Sequence, residues 1–107
     1  MSDKYILVDG IPELEPDLLK WAMWFETADR IVGKTVVGDY EVSTVFLALD
    51  HNFGGGLPIL YETLIFGPDD AQSETWRYAT VEEAQEGHER VVAALAERVA
   101  VPLLDAT

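Results

Sequence analysis

Two apolar runs dominate the middle of the chain, VSTVFLAL over 42–49 and ILYETLIF over 59–66. Both are rich in β-branched and aromatic residues, and a glycine-rich stretch separates them, which predicts two antiparallel core strands joined by a loop. In the first run Val42, Thr44, Phe46 and Ala48 share one face, because side chains alternate along a strand. Ser43, Val45, Leu47 and Leu49 share the other. In the second run Ile59, Tyr61, Thr63 and Ile65 alternate with Leu60, Glu62, Leu64 and Phe66. Both faces of the first strand are mostly apolar, so it is expected to be central and partly covered on each side.

The flanking segments complete the pattern. KYILV over 4–8 reads as a short first strand and IPELEP over 11–16 as an acidic linker broken by two prolines. From Pro16 to Val32, apolar Leu18, Trp21, Ala22, Phe25, Ala28 and Val32 recur at three- and four-residue spacing, predicting a helix that Gly33 stops. Met23 and Trp24 widen its apolar arc, which implies contact with a second element or a partner surface. Lys34–Val37 is expected to pair with Tyr40 onward through a Gly38-Asp39 turn. GPDDAQSE over 67–74 reads as a polar turn and TWRYA as a last short strand, with Arg77 on the face opposite Trp76 and Tyr78. Thr80-Val81-Glu82-Glu83 is a capping box. It opens a second helix with Val81, Ala84, His88, Val91, Val92, Leu95 and Val99 inward and Pro102 at its end. The expected architecture is one α+β domain over 1–107, an antiparallel sheet of four or five strands with two helices packed on one face.

Charge narrows the range of partners. Seven basic residues against twenty acidic ones leave a net charge of −13. Such a field opposes direct binding to a phosphate backbone, where cations must replace counterions, and to an anionic membrane surface. There is no cysteine, which removes disulfides, thiolate metal sites and cysteine nucleophiles. No apolar run reaches the roughly 20 residues that span a bilayer. The start of the chain lacks the apolar core of a signal peptide. A cytoplasmic setting is the expectation.

Candidate chemistry centres on the loop between the two core strands. Asp50, His51 and Asn52 sit at a strand end beside Gly54–Gly56. Either the two polar neighbours cap the loop through bonds to its backbone, or Asp50, His51 and Glu62 converge as acid/base groups or hard-metal ligands. Glu62 lies between Leu60 and Leu64, so a burial-shifted carboxylate or a pair with Arg77 is expected. His88 falls on the apolar stripe of the second helix, either as a satisfied core histidine or as a general base. With Tyr78, these residues would line a pocket under the glycine loop. The glycine run lacks the following Lys-Ser/Thr of a phosphate loop, and no spaced metal-ligand motif is present, so no cofactor or metal is expected.

STVFLALDHNFGGG, LPILYETLIFG and WRYATVEEAQEGHERVV together resemble a group of small uncharacterised proteins encoded by bacteriophages and prophages, which carry a similar layout. The resemblance covers most of the chain. It implies a phage or prophage origin and a bacterial cytoplasmic setting, and it transfers no catalytic residue. Three functions follow in order: a non-enzymatic module that binds a host or phage protein, with Trp24 on its acidic surface; a small-ligand binder for a nucleotide or metal closed by the glycine loop; and an acid/base or metal-assisted hydrolase.

Overall fold

The computed structural model describes residues 3–52, 54–68 and 74–105. The main sheet has four antiparallel strands in sequence order: β3 (Ile31–Val37), β4 (Tyr40–Phe46), β5 (Tyr61–Phe66) and β6 (Thr75–Tyr78). A separate hairpin, β1 (Tyr5–Val8) and β2 (Ile11–Leu14), precedes it. Two helices, α1 (Leu18–Thr27) and α2 (Val81–Asp105), complete the α+β fold. Both helices lie toward one face of the main sheet. α2 spans all four strands and reaches Thr44, while Trp24 of α1 meets Phe46 two positions further along β4. Among the described residues no helix is long and apolar enough to cross a membrane.

Within β4 and β5 the alternation read along the two core runs is observed; just before β5 it breaks, because Leu60 is buried beside Tyr61 while Ile59 is half-buried. Val42, Thr44, Phe46, Tyr61, Thr63 and Ile65 are buried, and the intervening residues are half-buried or exposed. One core cluster joins Phe46, Ala48, Leu60, Tyr61 and Ala84, with the hairpin and α1 packed against it. A second joins Val42, Ile65, Val91 and Leu95. The Gly38-Asp39 turn pairs Val37 with Tyr40, as expected. The capping box closes α2: the Glu83 N–H donates to Thr80 Oγ1 at 3.1 Å, and the Thr80 N–H donates back to Glu83 Oε1 at 3.1 Å.

Several boundaries differ from the pattern reading. β4 ends at Phe46 and β5 begins at Tyr61, so 47–49 and 59–60 lie outside the strands, and Ala48 takes a φ of 66°. IPEL is strand β2 rather than linker. Asp9 and Gly10, with φ of 53° and 80°, form the turn, and Pro12 is tolerated on a hairpin edge, where its missing donor breaks no ladder. α1 covers Leu18–Thr27 rather than 16–32. Asp17 caps it by accepting from the Leu19 N–H at 2.9 Å and the Lys20 N–H at 3.2 Å, and Ala28 is already extended. Asp29 then accepts from the Ile31 N–H at 3.0 Å, which turns the chain so that β-branched Ile31 and Val32 enter β3. Gly33 therefore sits at a strand irregularity, where a Cβ would come within 3.1 Å of the His88 ring. α2 continues past Pro102, which removes one backbone bond close to a helix end where few remain to lose. Most of the expected polar turn, 69–73, lies outside the described residues.

Gly87 shows why α2 can lie close to β6. A Cβ there would fall on the Tyr78 ring, whose hydroxyl is buried without a hydrogen-bond partner. Two opposite results are expected from urea unfolding. Gly87→Ala should lose about 1–2 kcal/mol, because overpacking outweighs the helix-propensity gain of about 1 kcal/mol. Tyr78→Phe should gain up to about 1 kcal/mol by deleting an unsatisfied donor. A stabilised Gly87→Ala protein would refute the close-approach account.

Candidate functional site

The residues singled out from sequence fall in three places. Asp50, His51 and Asn52 hold the glycine loop. Asp50 Oδ1 accepts from the Asn52 N–H at 2.8 Å and the Ile59 N–H at 3.0 Å, so it staples both ends of the loop. Asn52 Nδ2 donates to the Leu57 carbonyl at 2.8 Å, and its Oδ1 accepts from the Gly54 N–H at 3.2 Å. His51 Nδ1 bonds the Leu49 carbonyl at 2.8 Å. This is the capping arrangement, with side chains standing in for the backbone partners a strand would supply. Phe53 lies outside the described residues.

Glu62 and Arg77 occupy the second place, the sheet face away from the helices. They are register partners, and Arg77 Nε donates to Glu62 Oε2 at 2.9 Å. Glu62 is thus carried toward neither helix nor core; the strand alternation that buries Tyr61 and Thr63 turns it to the opposite face. Ile59, whose N–H Asp50 accepts, is three residues from Glu62, about 10 Å along a strand. Acid/base partners need contact near 3 Å or one bridging water. Among the described residues no group of three acidic or histidine side chains is placed to hold a metal ion.

His88 and Tyr78 mark the third place, on the helix-covered face. His88 Nε2 lies 2.9 Å from Thr35 Oγ1 and its Nδ1 lies 2.7 Å from Thr44 Oγ1, while Thr44 Oγ1 is 2.6 Å from Thr63 Oγ1. A neutral imidazole has one donor and one acceptor nitrogen, which suits two flanking hydroxyls. Burial lowers the His88 pKa from its ordinary value, and the charge of Glu89 opposes part of that shift. The ring ties α2 to β3 and β4 and is enclosed by them. Tyr78 lines a cavity of about 160 Å³ with Trp76, Gly87, Arg90, Val91 and Ala94. A neighbouring cavity of about 300 Å³ is floored by Ile65, Val91 and Leu95. The glycine loop belongs to neither wall.

Exposed apolar side chains that sequence reading only grazed stand on α1 and on β2. α1 contains no buried residue. Trp21, Trp24 and Phe25 turn toward the first core cluster, and the Trp21 Nε1–H is shared between the Tyr5 and Ala48 carbonyls at 3.1 Å each. Trp24 is therefore an anchor packed edge-on against Phe46 rather than a surface group. Outward stand Leu18, Leu19 and Met23, 65%, 69% and 64% exposed, and β2 adds Ile11 and Leu14, 64% and 56% exposed. The available signal was a short helix apolar nearly all round. Glu13, Glu15 and Asp17 interrupt the apolar residues of this segment, against the single cation Lys20. Compared with protein-family models, curated proteins and solved structures, the chain matches none.

Proposed function

We propose that the chain is a small non-enzymatic binding module that occupies a surface on a protein partner through the outer face of α1 and strand β2. The observation that carries this reading is the run of exposed Leu14, Leu18, Leu19 and Met23 interleaved with Glu13, Glu15 and Asp17. Large apolar side chains gathered in one exposed segment are the usual mark of an interaction surface. The acids around them select the occupant: a partner whose apolar groove is edged by lysine and arginine gains from both terms. Following the resemblance of the sequence, that partner is a host or phage protein in a bacterial cytoplasm. The mechanism is occupancy, and the negative field of −13 steers the encounter.

The test is capture from bacterial lysate by the full chain, set beside a Leu19→Asp/Met23→Asp variant. Both positions are exposed, so folding should change by no more than about 0.5 kcal/mol each. The expected result is a discrete partner held at low salt, released as salt rises, and absent from the variant. Equal capture by the folded variant would remove this face from consideration.

A further inference from the structure

The four-stranded sheet has a second face that no described element covers. Both helices and the hairpin contribute to the core on the other side. On the open face stand Ile31, Val36, Val45, Leu64 and Phe66, placed there by register: Ile31 opposes Val45, and Leu64 lies between Ser43 and Thr75. Val36 is 70% exposed and Phe66 45%. A solvated sheet face ordinarily alternates to polar residues, so this apolar content is surplus to the fold.

The strand charges on this face are paired. Lys34 lies 3.8 Å from Glu41, and Arg77 lies 2.9 Å from Glu62. On the strands two acids offset two bases, and Asp39 at the β3–β4 turn, beside Val36 and Phe66, adds one negative charge at the rim, a small part of the −13. We propose that the open sheet face is a self-association surface, on which a second copy of this chain packs face to face about a two-fold axis. Charge decides the occupant. The α1 surface is acidic and would repel its own copy, whereas a nearly neutral, ion-paired, partly apolar face can meet itself with little like charge opposing. Four strands about 4.8 Å apart and up to seven residues long outline roughly 400 Å². Side-chain relief raises the accessible area toward the lower end of the ~800 Å² per partner of a specific interface. A weak reversible dimer follows.

The proposal is independent of the partner-binding reading, and salt separates the two. Dimer formation brings two acidic bodies together, so it should strengthen as salt screens their repulsion; capture through α1 should weaken. Sedimentation equilibrium of the full chain, from about 10 to about 500 µM and at about 0.02 and about 0.3 M salt, tests it. The expected result is a monomer–dimer equilibrium favoured at the higher salt. Phe66→Asp and Val36→Asp, each folded by circular dichroism, should raise its midpoint at least about tenfold, equivalent to about 1.4 kcal/mol. A chain that stays monomeric throughout overturns the proposal. So does a dimer that both variants leave intact, or one that Leu19→Asp abolishes while they do not.

Discussion

A His88→Ala substitution is expected to cost about 3 kcal/mol, a large share of the 5–15 kcal/mol that holds an ordinary domain together. Two effects add. The ring fills space between α2, β3 and β4, and its removal leaves a cavity that neighbouring strands close only in part. Its two nitrogens also satisfy Thr35 and Thr44 at 2.9 and 2.7 Å. Thr44 retains Thr63 at 2.6 Å, while Thr35 loses its partner. His88→Leu refills the volume without the bonds, so the Ala–Leu difference separates packing from polar satisfaction. Urea unfolding near neutral pH provides both values.

The same residue carries a pH signature. Its pKa is lowered in the folded protein by burial. Above the unfolded value near 6.5 the imidazole is neutral in both states and its contribution is complete. As pH falls below 6.5 the unfolded chain takes up a proton that the folded chain refuses, so stability declines until the folded pKa is passed. Titrating carboxylates change stability in the same region, so the quantity to measure is the wild type minus His88→Leu. That difference should shrink between neutral and mildly acidic pH. A flat difference would show that the Thr–His–Thr bridge tolerates the charged ring.

Phe46→Ala should produce the largest loss, about 4 kcal/mol, because the side chain is fully buried and central to the first core cluster. Its ring lies 5.4 Å from that of Tyr61 and 6.0 Å, edge-on, from that of Trp24. The second contact gives the substitution a specific consequence. α1 has no buried residue of its own and is held through Trp21, Trp24 and Phe25, with Arg30 stacked 4.1 Å over Phe25 and donating to the Phe46 carbonyl at 2.9 Å. Without the Phe46 ring, α1 should open before the sheet does. Hydrogen exchange reads this directly: α1 amides should lose protection by more than the β4 and β5 amides. Uniform loss across the chain would mean that α1 and the sheet open as one unit. Since α1 presents Leu19 and Met23, partner capture should fall with its protection.

The sheet was legible because strand alternation is a local signal. Val42, Thr44 and Phe46 on one side and Ser43 and Val45 on the other required only the period of two. The turn at Gly38, the cap at Thr80 and the inward stripe of α2 were equally local. The candidate site was less legible, because placing Glu62 depends on which face the helices cover. Leu60 and Leu64 suggested an interior carboxylate. The alternation that buries Tyr61, Thr63 and Ile65 sends Glu62 to the open face, where Arg77 meets it. His88 was read correctly as inward, but its partners Thr35 and Thr44 lie 53 and 44 positions away. No periodicity encodes that distance.

By itself the sequence determined where the core strands lie and which residues of 42–46 and 61–65 they bury, how the second helix begins and that the molecule carries a strong negative field. These follow from spacing, capping chemistry and composition, all properties of neighbours along the chain. Tertiary structure decided that IPEL pairs with β1, that α1 stops at Thr27 and leaves Leu19 and Met23 outside, and that one sheet face stays open with its strand charges paired. Those outcomes depend on which surfaces remain after packing, and burial is shared between segments far apart in sequence.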